Sequence, residues 1–233
     1  MKKIITFVLL ITTISLQAQD FKTPEEEKVS FSVKAGWLNS TLKGKDLNHL
    51  SSDGSVSSMN DFFVGIGVDN PIGKNFSLKH EVFYQNQGGE FPRELAGNTL
   101  DADLKMRSLR INPISLAYRF EGFQVFAGPY INVLLNSSIT AVDEEGNTYK
   151  DHDIFGTETE NQEEGKFLQN MDFGFVVGAE YHFDFGGIIG VQYSRGFASI
   201  FDNSNTYDIF GPEGSKDLKI YNQTLGVYVG YKF

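Results

Sequence analysis

The chain contains no cysteine, so no disulfide framework and no thiolate, catalytic or metal-binding, enters its chemistry. It is short of positive charge: 20 Lys and Arg stand against 30 Asp and Glu, a net charge of -10, which argues against a nucleic-acid partner. After residue 19 no apolar run approaches the about 20 residues that a membrane-crossing helix requires. No segment has a helical period of its own. There is no G-x-S-x-G motif and no phosphate loop; "GIG" and "GAE" are strand glycines that precede no helix. These absences leave a β protein without a recognisable reaction motif. If it crosses a membrane it must do so as a closed barrel, because closure alone satisfies every backbone group in lipid.

The first residues have a different character. Met1-Lys2-Lys3 is positive, Ile4 to Leu16 is apolar apart from Thr and Ser, and "LQAQ" (16–19) puts a small residue where a signal peptidase cuts. Residues 1–19 read as a secretory signal peptide, 20–28 as a short periplasmic segment, and 29–233 as one β domain. A buried N-terminal helix is the alternative for the first stretch.

Eight segments alternate apolar and polar residues with a period of two, the pattern of a strand with one apolar face. They are 29–39, 62–69, 76–87, 105–120, 123–136, 168–183, 188–197 and 219–233. The last, "LGVYVGYKF" (225–233), keeps Leu225, Val227, Val229, Tyr231 and Phe233 on one side. In the fourth, Leu109 and Ile111 are odd and Ile114, Leu116, Tyr118 and Phe120 are even, with Asn112-Pro113 at the change. A proline in mid-strand and a parity change together predict a β-bulge near Pro113.

The connections alternate strictly. Residues 70–75, 121–122 and 184–187 form tight turns, and 40–61, 88–104, 137–167 and 198–218 form long loops. Short turns at one end and long loops at the other are the pattern of an outer-membrane barrel. The second face sharpens the choice. It carries Gly36, Gly65, Gly67, Gly128, Gly174, Gly178, Gly190, Gly226 and Gly230, together with Lys34, Lys79, Glu81, Arg110, Arg119, Asp172, Glu180 and Lys232. Glycine suits a crowded interior better than a wetted strand face, and buried charges of both signs must pair. Aromatic residues gather near segment ends, as interfacial girdles do. The expected fold is therefore all-β, an eight-stranded antiparallel up-and-down transmembrane β-barrel. A soluble lipocalin-like barrel is the alternative.

The segments "RINPISLAYRF" (110–120), "FGFVVGAEYHF" (173–183), "IGVQYSRGFASIF" (189–201) and "LGVYVGYKF" (225–233) resemble the PorT-like outer-membrane β-barrel proteins of Bacteroidetes, often labelled "porin family". The resemblance covers nearly all of the domain, and its motifs specify a barrel and its assembly. It implies an outer-membrane location, contact with outer-membrane lipid and lipopolysaccharide, and a C-terminal assembly signal, Tyr231 and Phe233, read by the outer-membrane assembly machinery. The family's founding member takes part in protein secretion, so secretion or envelope proteins are implied partners.

Candidate chemistry is sparse. His182 and Glu180 share the polar face near the short-turn end, as an acid/base pair or as an ordinary interior pair. Asp151, His152 and Asp153 in "KDHDIFG" form a weak metal or base candidate in the third long loop, which is rich in Asp and Glu and could gather divalent cations. The segment lacks the third ligand of a dedicated calcium loop. Eight strands enclose a space that side chains can fill, and Phe63, Phe83, Phe126, Tyr130 and Tyr228 are expected inside it. The expectation is a non-enzymatic envelope protein without a cofactor and without a general diffusion pore; a narrow channel is the alternative.

Overall fold

A computed structural model describes residues 28–51, 53–95, 98–151, 168–201 and 218–233. Among the described residues there are nine strands: β1 (Ser30–Gly44), β2 (Ser57–Pro71), β3 (Phe76–Leu95), β4 (Asn98–Phe120), β5 (Phe123–Val142), β6 (Thr148–Asp151), β7 (Met171–His182), β8 (Gly187–Gly196) and β9 (Ile220–Lys232). Each pairs antiparallel with its neighbours in the order β4-β3-β2-β1-β9-β8-β7-β5, and a β4–β5 ladder closes the ring. The result is the expected closed eight-stranded barrel. β6 stands outside the ring, adding to the far end of β5.

The outward face is apolar over a continuous belt. Ile66 is 62 % exposed and Val229 63 %, and Phe31, Val33, Phe120, Phe123, Phe173 and Val227 are exposed with them. Among the described residues no helix is long and apolar enough to cross a membrane; the belt is built from strands. Aromatic rings interlock around the short-turn end: Phe76 with Tyr118, Phe123 with Tyr181, Tyr181 with Phe183, and Tyr231 with Phe233. Three tight turns close this end, between β2 and β3, β4 and β5, and β7 and β8. The sharpest is Glu121-Gly122, where φ is 47° and 83°, a left-handed pair that a two-residue hairpin needs.

The bulge expected near Pro113 is present. Ser115 faces Lys79 while Asn112 faces Glu81, so Pro113 and Ile114 of β4 stand opposite one residue of β3, one extra residue, and the pairing with β5 shifts at the same place. Pro113 has no N–H to give a ladder. Its carbonyl, released by the bulge, hydrogen-bonds the His80 ring on the outer face.

The strands run further than the sequence pattern indicated on the long-loop side. β1 continues to Gly44, β2 starts at Ser57, β3 reaches Leu95, β4 starts at Asn98 and β5 reaches Val142. The expected loop 88–104 is almost entirely a β3–β4 hairpin, and loop 137–167 contains the end of β5 and all of β6. At about 3.3 Å per residue the 20 and 23 residues of β3 and β4 extend roughly 65–75 Å, far more than an apolar belt about 25 Å tall requires. The cause is an inversion of pattern. Within the belt β4 places Leu116 and Tyr118 outside and Arg110 and Asn112 inside. Beyond it Asp101, Asp103 and Arg107 are outside, and Ala102, Leu104 and Met106 are buried. The sheet there faces water rather than lipid, so apolar side chains turn inward. In β5 the same change is made by a second bulge at Leu135, where Arg107 pairs with Asn136 and Ser108 with Leu134.

The lumen and its two ends as the candidate functional site

Near the short-turn end the expected paired charges meet across the lumen. Lys34 of β1 bonds Glu81 of β3 at 2.6 Å and also Glu180 of β7. Lys79 of β3 lies 2.6 Å from Glu180 and 3.8 Å from Glu81. All four side chains are almost completely buried. Two ammonium and two carboxylate groups thus neutralise one another, and the spare oxygens are also taken. Tyr228 donates to Glu180 at 2.6 Å, and Asn112 donates to Glu81 at 3.0 Å. Closer to the opening, Asp69 accepts from Arg119 at 3.2 Å and from Gln124 at 2.9 Å. Alternation on seven strands brings these groups together in the short-turn end of the lumen. The charges were legible in the sequence; Tyr228 was expected only as an inward aromatic, and Asn112 and Gln124 were not singled out, although their parity places them inside.

The His182–Glu180 pair forms, with the His182 Nε2 atom 3.0 Å from the carboxylate and 3.1 Å from the Gln124 amide oxygen. Glu180 also serves two lysines and a tyrosine, so its oxygens are occupied by structural bonds. The cavity beside the cluster, lined by Lys34, Glu81, Glu180 and His182, is about 10 Å³, the space of one water molecule and not of a substrate.

In the middle of the lumen Phe63 meets Phe83 and Tyr228 edge to face. Phe126 and Tyr130 are buried too, as the sequence predicted. Each of these rings except Phe63 covers a glycine on a neighbouring strand: Phe83 over Gly65, Phe126 over Gly178, Tyr130 over Gly174, Tyr228 over Gly190. The glycine-rich face is therefore the seat of the aromatic plug. Arg110 lies 5.0 Å over the Phe83 ring, fully buried, and its guanidinium nitrogens make no hydrogen bond with described residues.

The long-loop end is closed by a second core that the sequence reading did not include. Leu42, Leu50, Val56, Phe91, Leu104, Ile139, Leu168, Phe201, Leu218 and Ile220 pack together there. They come from the inverted parts of the strands and from the loops, which is why a search for an outward apolar face missed them.

Of the weak metal candidate, Asp151 is the last residue of β6, and His152 and Asp153 lie outside the described residues. Among the described residues no group of three His, Asp or Glu is arranged to hold a metal ion. Asp143, one of the acids of the same loop, is engaged by its own turn. It accepts from the Asn147 side chain at 2.9 Å, from the Asn147 and Glu145 backbone N–H groups at 2.8 and 3.0 Å, and from Tyr149. The Asn147 side chain, followed by the turn N–H groups, holds its carboxyl below the ordinary value of 3.8. A lowered folded value stabilises the turn above 3.8 and loses that effect as pH falls through the lowered value. The Asn147 amide is therefore expected to exchange faster with solvent when pH is taken well below 3.8, measured against the amides of β5 as internal reference.

A closed barrel with an outward apolar belt, an aromatic girdle at its short-turn end and a paired charge cluster in its lumen is the class of outer-membrane β-barrels. The family model described as "Outer membrane protein beta-barrel domain" matches residues 17–202, and the chain belongs to that family. Among solved structures it is similar to Ail, the attachment invasion locus protein of Yersinia pestis, at 11 % identity, with 89 % of this chain and 100 % of that chain covered and a TM-score of 0.45. Neisserial surface protein A is similar at 14 % identity, 89 % and 100 % coverage and a TM-score of 0.44. OprG of Pseudomonas aeruginosa is similar at 13 % identity, 88 % and 95 % coverage and a TM-score of 0.32. No curated protein matches the chain.

Proposed function

We propose that this chain is a non-enzymatic, non-conducting barrel of the outer membrane that presents its extended outer sheet to other components of the cell envelope. The observation that carries this reading is the doubly closed lumen: a neutral Lys–Glu cluster at one end and an apolar core at the other. The PorT-like resemblance adds a link to protein secretion or surface assembly. In this reading residues 1–19 direct export, 20–28 stay periplasmic, 29–233 form the barrel, and no cofactor is used. Tyr231 and Phe233, both exposed on the outer face of the last strand, form the signal for the assembly machinery. Asp151, His152 and Asp153 are left as a minor cation contact.

A narrow channel is the second reading, favoured by the mid-lumen polar atoms of Arg110, Asp172 and Gln192 that have no described partner. The purified full chain in planar bilayers separates the two. No discrete conductance is expected, from a sample whose gel mobility shifts on boiling. Steps of unitary conductance from the same sample would overturn the closed reading in favour of the channel.

A further inference from the structure

Of the lumen cations Lys34, Lys79, Arg110 and Arg119, three meet a carboxylate: Lys34 with Glu81 and Glu180, Lys79 with Glu180, and Arg119 with Asp69. Arg110 meets none. It is 0 % exposed, and its Nε and both terminal nitrogens are buried without a hydrogen-bond partner among the described residues. The Phe83 ring takes one face of the guanidinium at 5.0 Å and leaves the N–H edges uncovered. Arginine does not give up its proton in a protein, so this charge stays in the barrel interior, where an unpaired ion is costly. The neighbouring carboxylates are engaged elsewhere. Glu81, two residues from Phe83 on β3, accepts from Lys34 at 2.6 Å and from Asn112 at 3.0 Å. Asp172 shares the cross-strand row Arg110–Asn132–Asp172. Its carboxylate stands over Gly196 of β8, 3.0 Å from the position of a Cβ there, and accepts from Tyr130 and Asn222, each at 3.3 Å. β8 is three strands from β4 around the ring.

The other polar groups around Arg110 are neutral. Asn132, its partner on β5, has an unbonded amide oxygen, which can take one N–H of the guanidinium and none of its charge. Ser108, two residues along β4 on the same inward face, has an unbonded, buried hydroxyl. Thr224 of β9, the strand directly opposite β4 in the ring, is buried and lies 2.6 Å from the Ser194 hydroxyl of β8. One hydroxyl of that pair donates to the other, and the accepting one keeps its own hydrogen for a further acceptor. A fixed cation and hydroxyl donors thus face one interior without a negative group to receive them.

We propose that Arg110 is the centre of a binding site for one small monovalent anion of the halide class in the middle of the lumen, with the Ser108 hydroxyl and the Ser194–Thr224 pair as further donors. One unpaired cation sets the valence, because a second negative charge would itself be buried unpaired. The plug of Phe63, Phe83 and Tyr228 on one side and the apolar core on the other set the size. The site goes beyond the envelope reading and rests on it in one respect: a lumen closed at both ends takes the ion up as the barrel forms and releases it slowly.

The test uses bromide as the probe. The full chain is refolded into detergent micelles in sodium bromide, desalted into sodium gluconate, and its bromide counted by elemental mass spectrometry. Urea midpoints are measured in bromide and in gluconate at equal ionic strength. The wild-type chain is expected to retain about one bromide, matching its one unpaired cation, and to unfold at higher urea in bromide, because an ion bound only by the folded state stabilises it. Arg110→Met, or Arg110→Gln if the methionine variant does not fold, should lose both effects. Arg107→Met, which removes an exposed arginine from the outer face, should lose neither. A wild-type chain with neither effect, or with effects equal to those of the Arg110 variant, overturns the site. Bromide held by Asp172→Asn and not by wild type overturns it as well, because Arg110 and Asp172 would then pair with each other in the native barrel. A midpoint shift that depends on Arg110 without retained bromide upholds the site and refutes the closed lumen, so the two readings fail separately.

Discussion

Glu180→Ala is expected to destabilise the barrel by about 3–5 kcal/mol, the largest effect of any single side-chain truncation in the lumen. Glu180 is the hub of the charged cluster. It holds Lys34 and Lys79, accepts from Tyr228, and contacts His182. Removing it leaves one carboxylate, Glu81, for two buried ammonium groups, and an unpaired buried charge costs far more than a lost surface pair. Glu180→Gln keeps an acceptor for Tyr228 but not the charge, and should fall between wild type and alanine. The decisive variant is Lys34→Met with Glu180→Gln. It removes one charge of each sign and leaves Lys79 facing Glu81, already 3.8 Å away, as a neutral pair. Most of the lost stability should return, because balanced replacement of buried ions is close to neutral. Urea unfolding of the barrel in lipid vesicles, followed by tryptophan fluorescence and by the unboiled gel band, measures all four. If the double variant were as unstable as Glu180→Ala, charge balance would not be what the cluster supplies.

The fold was legible in the sequence wherever one rule held along a strand. Between Phe31 and Trp37, Phe123 and Val133, or Leu225 and Phe233, lipid lies outside and a crowded lumen inside, so parity alone gives face and register. The bulge at Pro113 was legible too, because it leaves a mark in the parity itself. The extended ends were not, since beyond the belt the solvent outside changes from lipid to water. Leu104 and Asp103 obey the rule of a soluble sheet, and read with the rule of a membrane strand they look like the end of one. The paired charges of the lumen were legible as a balance of signs. Their partners were not, because which lysine meets which glutamate depends on side chains from β1, β3 and β7, whose sequence separations reach 146 residues.

Gly190→Ala is expected to cost about 3 kcal/mol although it adds a single methyl group. Gly190 lies between Tyr228 of β9 and Glu180 of β7 in the ladders. A Cβ there would stand 2.5 Å from the ring carbon Cζ of Tyr228 and 2.7 Å from its hydroxyl oxygen, closer than real side chains approach. The ring must move, and it has little freedom: it also meets Phe63 edge to face, and its hydroxyl bonds Glu180 at 2.6 Å. The expected cost sums overpacking, about 1–3 kcal/mol, with loss of a hydrogen bond to a charged group, about 1.5–3 kcal/mol, and partial relaxation keeps the total near the lower end of that sum. Gly73→Ala is the control, because nothing lies within 4 Å of a Cβ at that turn; it should leave the urea midpoint unchanged. Tyr228→Leu vacates the space that the new methyl group needs, so Gly190→Ala with Tyr228→Leu should be more stable than the sum of the two single losses by about 1–2 kcal/mol, within the usual range for touching residues. Strict additivity would mean that the glycine is there for its backbone. Coupling would mean that it is there to receive the ring, and that the many glycines of this face are one half of an aromatic plug whose other half, Phe83, Phe126, Tyr130 and Tyr228, is supplied by the strands beside them.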